Sequence, residues 1–164
     1  MSAAPKWLKR RPGSVLSATT AIGCGAARTR CRLLQELGYL YHIDDLSRDE
    51  PFIETVDGKD FVVVPYTLRN NDILLVEGRN YSPAKFVDQI KMDFDQLYEE
   101  AGHRRRMMSV SAHDRISGTP QMVRAWDVFL RYVEEKPGVA FLRKDAIARW
   151  ALESPLTLRE SETI

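Results

Sequence analysis

Short runs of apolar residues that do not alternate with polar ones constrain this fold more than any other feature. Phe61-Val62-Val63-Val64 is continuous, largely β-branched and stopped by Pro65. A strand that alternates can face water on one side, whereas one that is apolar throughout needs cover on both. Tyr39-Leu40-Tyr41-His42-Ile43, residues 107–112 and Val139-Ala140-Phe141-Leu142 read as further short strands, and residues 73–76 as a weaker strand or extended loop. Asp57-Gly58 is a turn signal.

Helical patterns separate these runs. Residues 29–37 form a short helix with Leu33, Leu34 and Leu37 on one face and Gly38 as its stop. Ser82-Pro83 opens the longest helix, with Ser82 as N-cap and Pro83 at the first helical position. Phe86, Ile90, Phe94 and Leu97 give it one apolar face, and Gly102 ends it. Thr119-Pro120 repeats the same start for a helix through Glu134, buried through Val123, Trp126, Phe129, Leu130 and Val133. Residues 144–152 form the last helix, and Trp126 and Trp150 read as core. Covered strands alternating with amphipathic helices predict an α/β fold with a largely parallel sheet or part of a barrel.

The chain has 164 residues, enough for one domain with a sizeable core. Residues 1–32 contain no acid, while residues 35–54 are rich in Asp and Glu. The division expected is an irregular or disordered segment over 1–28 and an ordered body over 29–164. The basic leader lacks the apolar core of a secretory signal, and a disordered tail is preferred to an organelle presequence. A formal charge of +1 implies no pull toward nucleic acid, and no apolar run is long enough for a membrane span. Cys24 and Cys31 have no histidine near them in sequence, so two free thiols in a reducing cytoplasm are expected rather than a disulfide or a zinc site.

His113 lies in a polar loop between the strand at 107–112 and the helix that follows. The downstream mouth of a strand is where an α/β enzyme keeps a proton-transfer group; the alternative is a polar loop histidine with no task. Asp44 and Asp49 also follow a strand end, and read either as working-loop residues or as solvated carboxylates with Asp49 or Glu50 capping a turn. Asp114 and Arg115 are supporting candidates, able to pair with each other or with that acidic loop. His42 reads as a strand side chain and His103 as a solvated helix end. The Arg104-Arg105-Arg106 run follows a helix C-terminus, where positive charge is favoured.

Residues 44–52, Val63-Val64-Pro65-Tyr66, Asn71-Asp72, residues 107–115 and residues 138–150 resemble, in that order, the C-terminal half of the polysaccharide deacetylase (NodB-homology) family. The resemblance covers roughly residues 33–153 and is nearest to the branch of metal-independent allantoinases and chitooligosaccharide deacetylase-like proteins. It implies a partial, distorted β/α barrel and hydrolysis of non-peptide amide C–N bonds. It also implies that His113 is the general acid that protonates the departing nitrogen, a task suited to an imidazole of ordinary pKa about 6.5. Asp44 or Asp49 would then orient or charge-pair an active-site base or arginine.

Ser111 stands where the family's Leu-x-His motif has leucine. The family's Thr-Phe-Asp-Asp and His-Ser/Thr-x-x-His motifs, which carry the catalytic Asp and the metal-binding histidines, do not occur in the sequence. The expectation is therefore a truncated relative that lacks the water-activating half of the site and has little activity alone, with no metal held by this chain. Many full-length members bind zinc or another divalent metal, whereas allantoinase-like members need none. The expected substrate, if the chain is active, is a small acylated amino sugar or a ureide. A non-catalytic binding or assembly module is the alternative. Self-association is expected through uncovered strand edges.

Overall fold

The computed structural model describes residues 28–160. Cys24 and the segment expected to be irregular, up to residue 27, lie outside the described residues. The first element, α1 (Arg28–Glu36), is followed by β1 (Tyr41–His42), β2 (Phe52–Val56) and β3 (Lys59–Val63). Asp57 and Gly58 join β2 to β3 with φ of +49° and +72°. Two successive left-handed residues turn the chain with the twist of a tight hairpin, and glycine takes the second position without a Cβ penalty.

The sheet is mixed, in the order β1-β3-β2-β4, with β4 spanning Leu158–Glu160. β1 runs parallel to β3 and β4 parallel to β2, but β2 and β3 are antiparallel. The expectation of a largely parallel sheet is corrected at that hairpin. Residues 52–56, for which the sequence predicts no strand, are drawn into the sheet because the two-residue turn leaves them opposite residues 59–63.

Both faces of the sheet are covered. Val62 and Val64 pack with Tyr41, Ile43 and Ile53 against Ala148 and Ala151 of α5 (Lys144–Glu153). Phe61 and Val56 pack on the opposite side against Cys31 and Leu34 of α1. The buried face of α1 is thus set by Cys31 and Leu34, three residues apart, while Leu33 and Leu37 are exposed. That corrects the leucine face expected for this helix.

A second core joins α2 (Pro83–Glu100) to α4 (Pro120–Glu134). The Ser82 hydroxyl accepts from the Lys85 N–H as the expected N-cap. Phe86, Ile90, Phe94 and Leu97 are all buried, as their spacing predicts. On α4 the buried set is Met122, Ala125, Phe129 and Val133, so Val123 and Leu130 face outward. Small Ala125 and edge-on contacts from Phe129 to Phe94 (6.3 Å between centroids) and from Trp126 to Phe86 (5.5 Å) set that rotation. Trp150 is not core: it is exposed beneath the Arg105 guanidinium, 4.5 Å above its ring.

Three expected strands are different. Residues 73–76 belong to a π-helical turn, Ile73–Gly78, whose first N–H is held by the Asp72 carboxylate. Residues 107–112 are extended but share a single bridge, Asn71 with Ser111. Their N–H groups go to turns instead of a ladder: Met107 to the Asp49 carbonyl (2.7 Å) and Ser109 to the Thr67 hydroxyl (3.0 Å). Residues 139–142 pair with no strand among the described residues, and Phe141 and Leu142 are 59% and 61% exposed.

Candidate functional site

β3 ends in the buried core, and the chain leaves it through Pro65 and Tyr66 into a short 3₁₀ turn, Leu68–Asn70. The extended segment 107–112 runs alongside and delivers His113 to the N-cap of α3 (Asp114–Ser117). Asp72 lies between the two and is fully buried. Its Oδ1 is 2.5 Å from His113 Nδ1, and its Oδ2 accepts from the His113 backbone N–H (2.7 Å) and from the Ser117 hydroxyl (2.6 Å). Burial pushes this carboxyl up, but the hydrogen bonds from Ser117 and His113 outweigh it and hold it below its ordinary value of 3.8.

A buried ionised carboxylate at Nδ1 keeps the proton of that nitrogen in place. The imidazole side chain is still 40% exposed. With Nδ1 engaged by Asp72, Nε2 is the ring nitrogen left to exchange a proton. His113 thus stands at the end of an extended segment, with Nδ1 held by Asp72 and the ring partly exposed.

A second set of bonds fixes this pair. The Tyr66 hydroxyl accepts from the Asn71 amide (2.7 Å) and from the Ser111 hydroxyl (2.6 Å). The departure from leucine at Ser111 thus has a structural use, since leucine has no hydroxyl to give Tyr66. Asn70, next in the same turn, is fully buried, and neither polar atom of its side chain meets a partner among the described residues.

α3 is closed by Gly118, where an added Cβ would stand 2.3 Å from the Asp114 carbonyl oxygen. Gly118→Ala is expected to cost roughly 1–3 kcal/mol, because the backbone beneath His113 must shift to admit a methyl group. Urea unfolding of the variant measures that loss.

The other expected site residues lie elsewhere. Asp44 pairs with Arg30 of α1 at 2.6 Å. The Asp49 side chain faces Arg69 at 3.5 Å, and its carbonyl anchors Met107 at the start of the segment carrying His113. Each of these carboxylates faces an arginine and neither is bonded to His113, where the acid is Asp72. Asp114 accepts from the Arg115 N–H (2.7 Å), while the Arg115 guanidinium forms a forked pair with Glu77 rather than with the acidic loop. Asp72 fell inside a block that resembles the family, but an aspartate after Asn71 carries no local sign of a partner 41 residues away. The arginine run is absorbed by local partners: Arg104 pairs with Glu50, Arg106 with Glu100, and Arg105 donates to the Leu156 carbonyl.

Cys31, His42 and Glu54 bring three potential metal-ligating atoms within 4.8 Å of one another. Sequence distance concealed this, since His42 approaches Cys31 only across the α1–sheet packing. In the structure protons join the group. His42 Nδ1 accepts from the Asp44 N–H (3.3 Å), which leaves Nε2 to donate to Glu54 (3.0 Å). Burial, with Glu54 beside it, pushes the Cys31 thiol up to about 12. A metal here would have to displace the thiol proton and the Nε2 proton together.

Comparison with known proteins places this geometry in context. No family model matches the chain. A Schizosaccharomyces pombe protein described as a polysaccharide deacetylase is 29% identical over 120 residues, 71% of this chain and 37% of that protein. A solved structure described as a polysaccharide deacetylase from Pseudomonas aeruginosa PAO1 is 32% identical, with a TM-score of 0.71 over 79% of this chain and 45% of its own. The PuuE allantoinase structure is likewise 32% identical, with a TM-score of 0.71 over 81% of this chain and 46% of its own. A Mycobacterium smegmatis structure of the same description, 20% identical with a TM-score of 0.67, shares the fold. The chain spans less than half the length of each of these relatives. Among the described residues, no helix is long and apolar enough to cross a membrane.

Proposed function

This chain is related, over about four fifths of its length, to part of the polysaccharide deacetylase family, and from that premise we propose that it carries the proton-donating side of a site for hydrolysis of non-peptide C–N bonds. The carrying observation is His113, partly exposed and held at Nδ1 by the buried Asp72 carboxylate. The substrate class is a small acylated amino sugar or a ureide. In this reading the α/β body corresponds to part of a distorted barrel, a reading supported by its likeness to the deacetylase and allantoinase structures.

Amide hydrolysis needs an activated water, charge stabilisation at the tetrahedral intermediate and a proton for the leaving nitrogen. In this reading the Nε2–H of the doubly protonated ring moves to that nitrogen as the C–N bond breaks. The Nδ1 proton stays with Asp72. Water activation comes from groups outside this sequence, since it holds neither the Thr-Phe-Asp-Asp nor the His-Ser/Thr-x-x-His motif. Those missing motifs also favour a second reading, a non-catalytic module that binds such amides.

The test is hydrolysis of N-acetylated amino sugars and allantoin, with and without Zn²⁺. The chain is assayed alone and mixed with the part of the Pseudomonas aeruginosa protein that it does not match. Turnover in the mixture that disappears with His113→Ala supports the enzymatic reading. No turnover with substrate binding retained favours the binding module, and turnover indifferent to His113→Ala removes the imidazole from the mechanism.

A further inference from the structure

Three chain segments end at the same place. β3 passes into Pro65 and Tyr66, residues 107–112 lead to His113, and residues 139–143 lead to Lys144, the first residue of α5. Lys144 Nζ donates to the Pro65 carbonyl (3.1 Å) and lies 5.7 Å from the centre of the Tyr66 ring. The Tyr66 hydroxyl is in turn bonded by Asn71 and Ser111, which neighbour Asp72 and His113 in sequence. Hydrogen bonds run from the Tyr66 hydroxyl through Asn71 and the Ile73 N–H to Asp72 and His113, and Lys144 meets this chain at the Tyr66 ring.

An ammonium group has three protons to donate, and the Pro65 carbonyl takes one. Among the described residues no carboxylate pairs with Lys144, and desolvation alone pushes its ammonium down to about 8. The start of α5 adds no relief, because the first turn of a helix disfavours a cation. Surface lysines usually escape such costs by extending into water. This one is held over a tyrosine beside the site, where a bound anion would satisfy its free donors and its charge.

We propose that Lys144 and Tyr66 form an anion subsite next to His113 that takes a carboxylate of the substrate, which makes an acidic amide or ureide the preferred substrate. The specificity assigned here rests on the hydrolytic or amide-binding reading above. Binding of the anion itself requires no turnover. Tyr66 gives the subsite one apolar wall and links its occupancy to Ser111 and Asn71.

The probe is acetate, with neutral acetamide as control, followed by ¹H–¹⁵N NMR of the whole chain at pH 7. Acetate is expected to shift the Tyr66, Ser111 and His113 amide signals, and acetamide to leave them in place. Lys144→Gln keeps a donor for Pro65 but loses the charge, and should weaken acetate binding at least tenfold. Lys144→Arg keeps the charge and should bind within about threefold of the parent chain. The subsite is refuted if Lys144→Gln binds acetate like the parent, if Lys144→Arg loses binding as fully as Lys144→Gln, or if acetate moves none of those signals. His113→Ala separates the two proposals: it should retain the acetate response at Tyr66 even where it removes hydrolysis.

Discussion

His113→Ala is expected to lower C–N hydrolysis by roughly 10²–10⁴-fold in the assembly that turns substrate over, the range that a positioned acid or base supplies. In the proposed mechanism the imidazole gives up its proton as the intermediate collapses, so it would act in the transition state more than in substrate binding. kcat and kcat/KM should therefore fall together with little change in KM. Loss of the ring also leaves the buried Asp72 with one partner fewer. A stability measurement on the same variant is needed to separate the two effects. A fall in rate with KM rising in step and kcat preserved would instead make His113 a binding residue.

Asp72→Ala should destabilise the fold by roughly 2–5 kcal/mol, since each buried donor left without an acceptor costs about 1–3 kcal/mol. The substitution strips the acceptor from the His113 backbone N–H, the Ser117 hydroxyl and the His113 ring, while the Ile73 N–H keeps its bond to Asn71 Oδ1. Unpaired buried donors are costly because neither water nor protein replaces the lost bond. Denaturation in urea, read as a change in midpoint at constant slope, measures the effect. A loss below about 1 kcal/mol would show that Asp72 contributes little to holding the turn together.

The same residue predicts an acid limb. Its folded-state pKa is depressed, so its stabilisation is fully present above the ordinary value of 3.8 and is lost as pH falls below that value through the folded one. Asp72→Ala should therefore flatten the stability profile below about pH 4, and an unchanged limb would assign it to other carboxylates.

Much of the framework was legible in the sequence because it depends on neighbours along the chain. The Ser82-Pro83 start, the spacing of Phe86, Ile90, Phe94 and Leu97, and the Asp57-Gly58 turn all follow from local geometry. The run from Phe61 to Val64 was legible too, since residues buried on both sides need no alternation. The faces of α1 and α4 were less so: several rotations of each helix present apolar residues, and packing partners select one. Residues 107–112 and 139–142 have the composition of strands, but a strand needs an edge to pair with, and their neighbours are turns and exposed surface.

For the site, local order along the chain marked His113 through its place between an extended segment and a helix. Asp72 and Lys144 were assigned no role, because what distinguishes them is burial and contact with residues distant in sequence. A carboxylate becomes a partner for an imidazole, and a lysine becomes an uncompensated cation, when folding removes water and sets their neighbours. Local periodicity reports which residues turn inward. The desolvation and long-range hydrogen bonds that give a polar group its chemistry arise from the packing of separate elements.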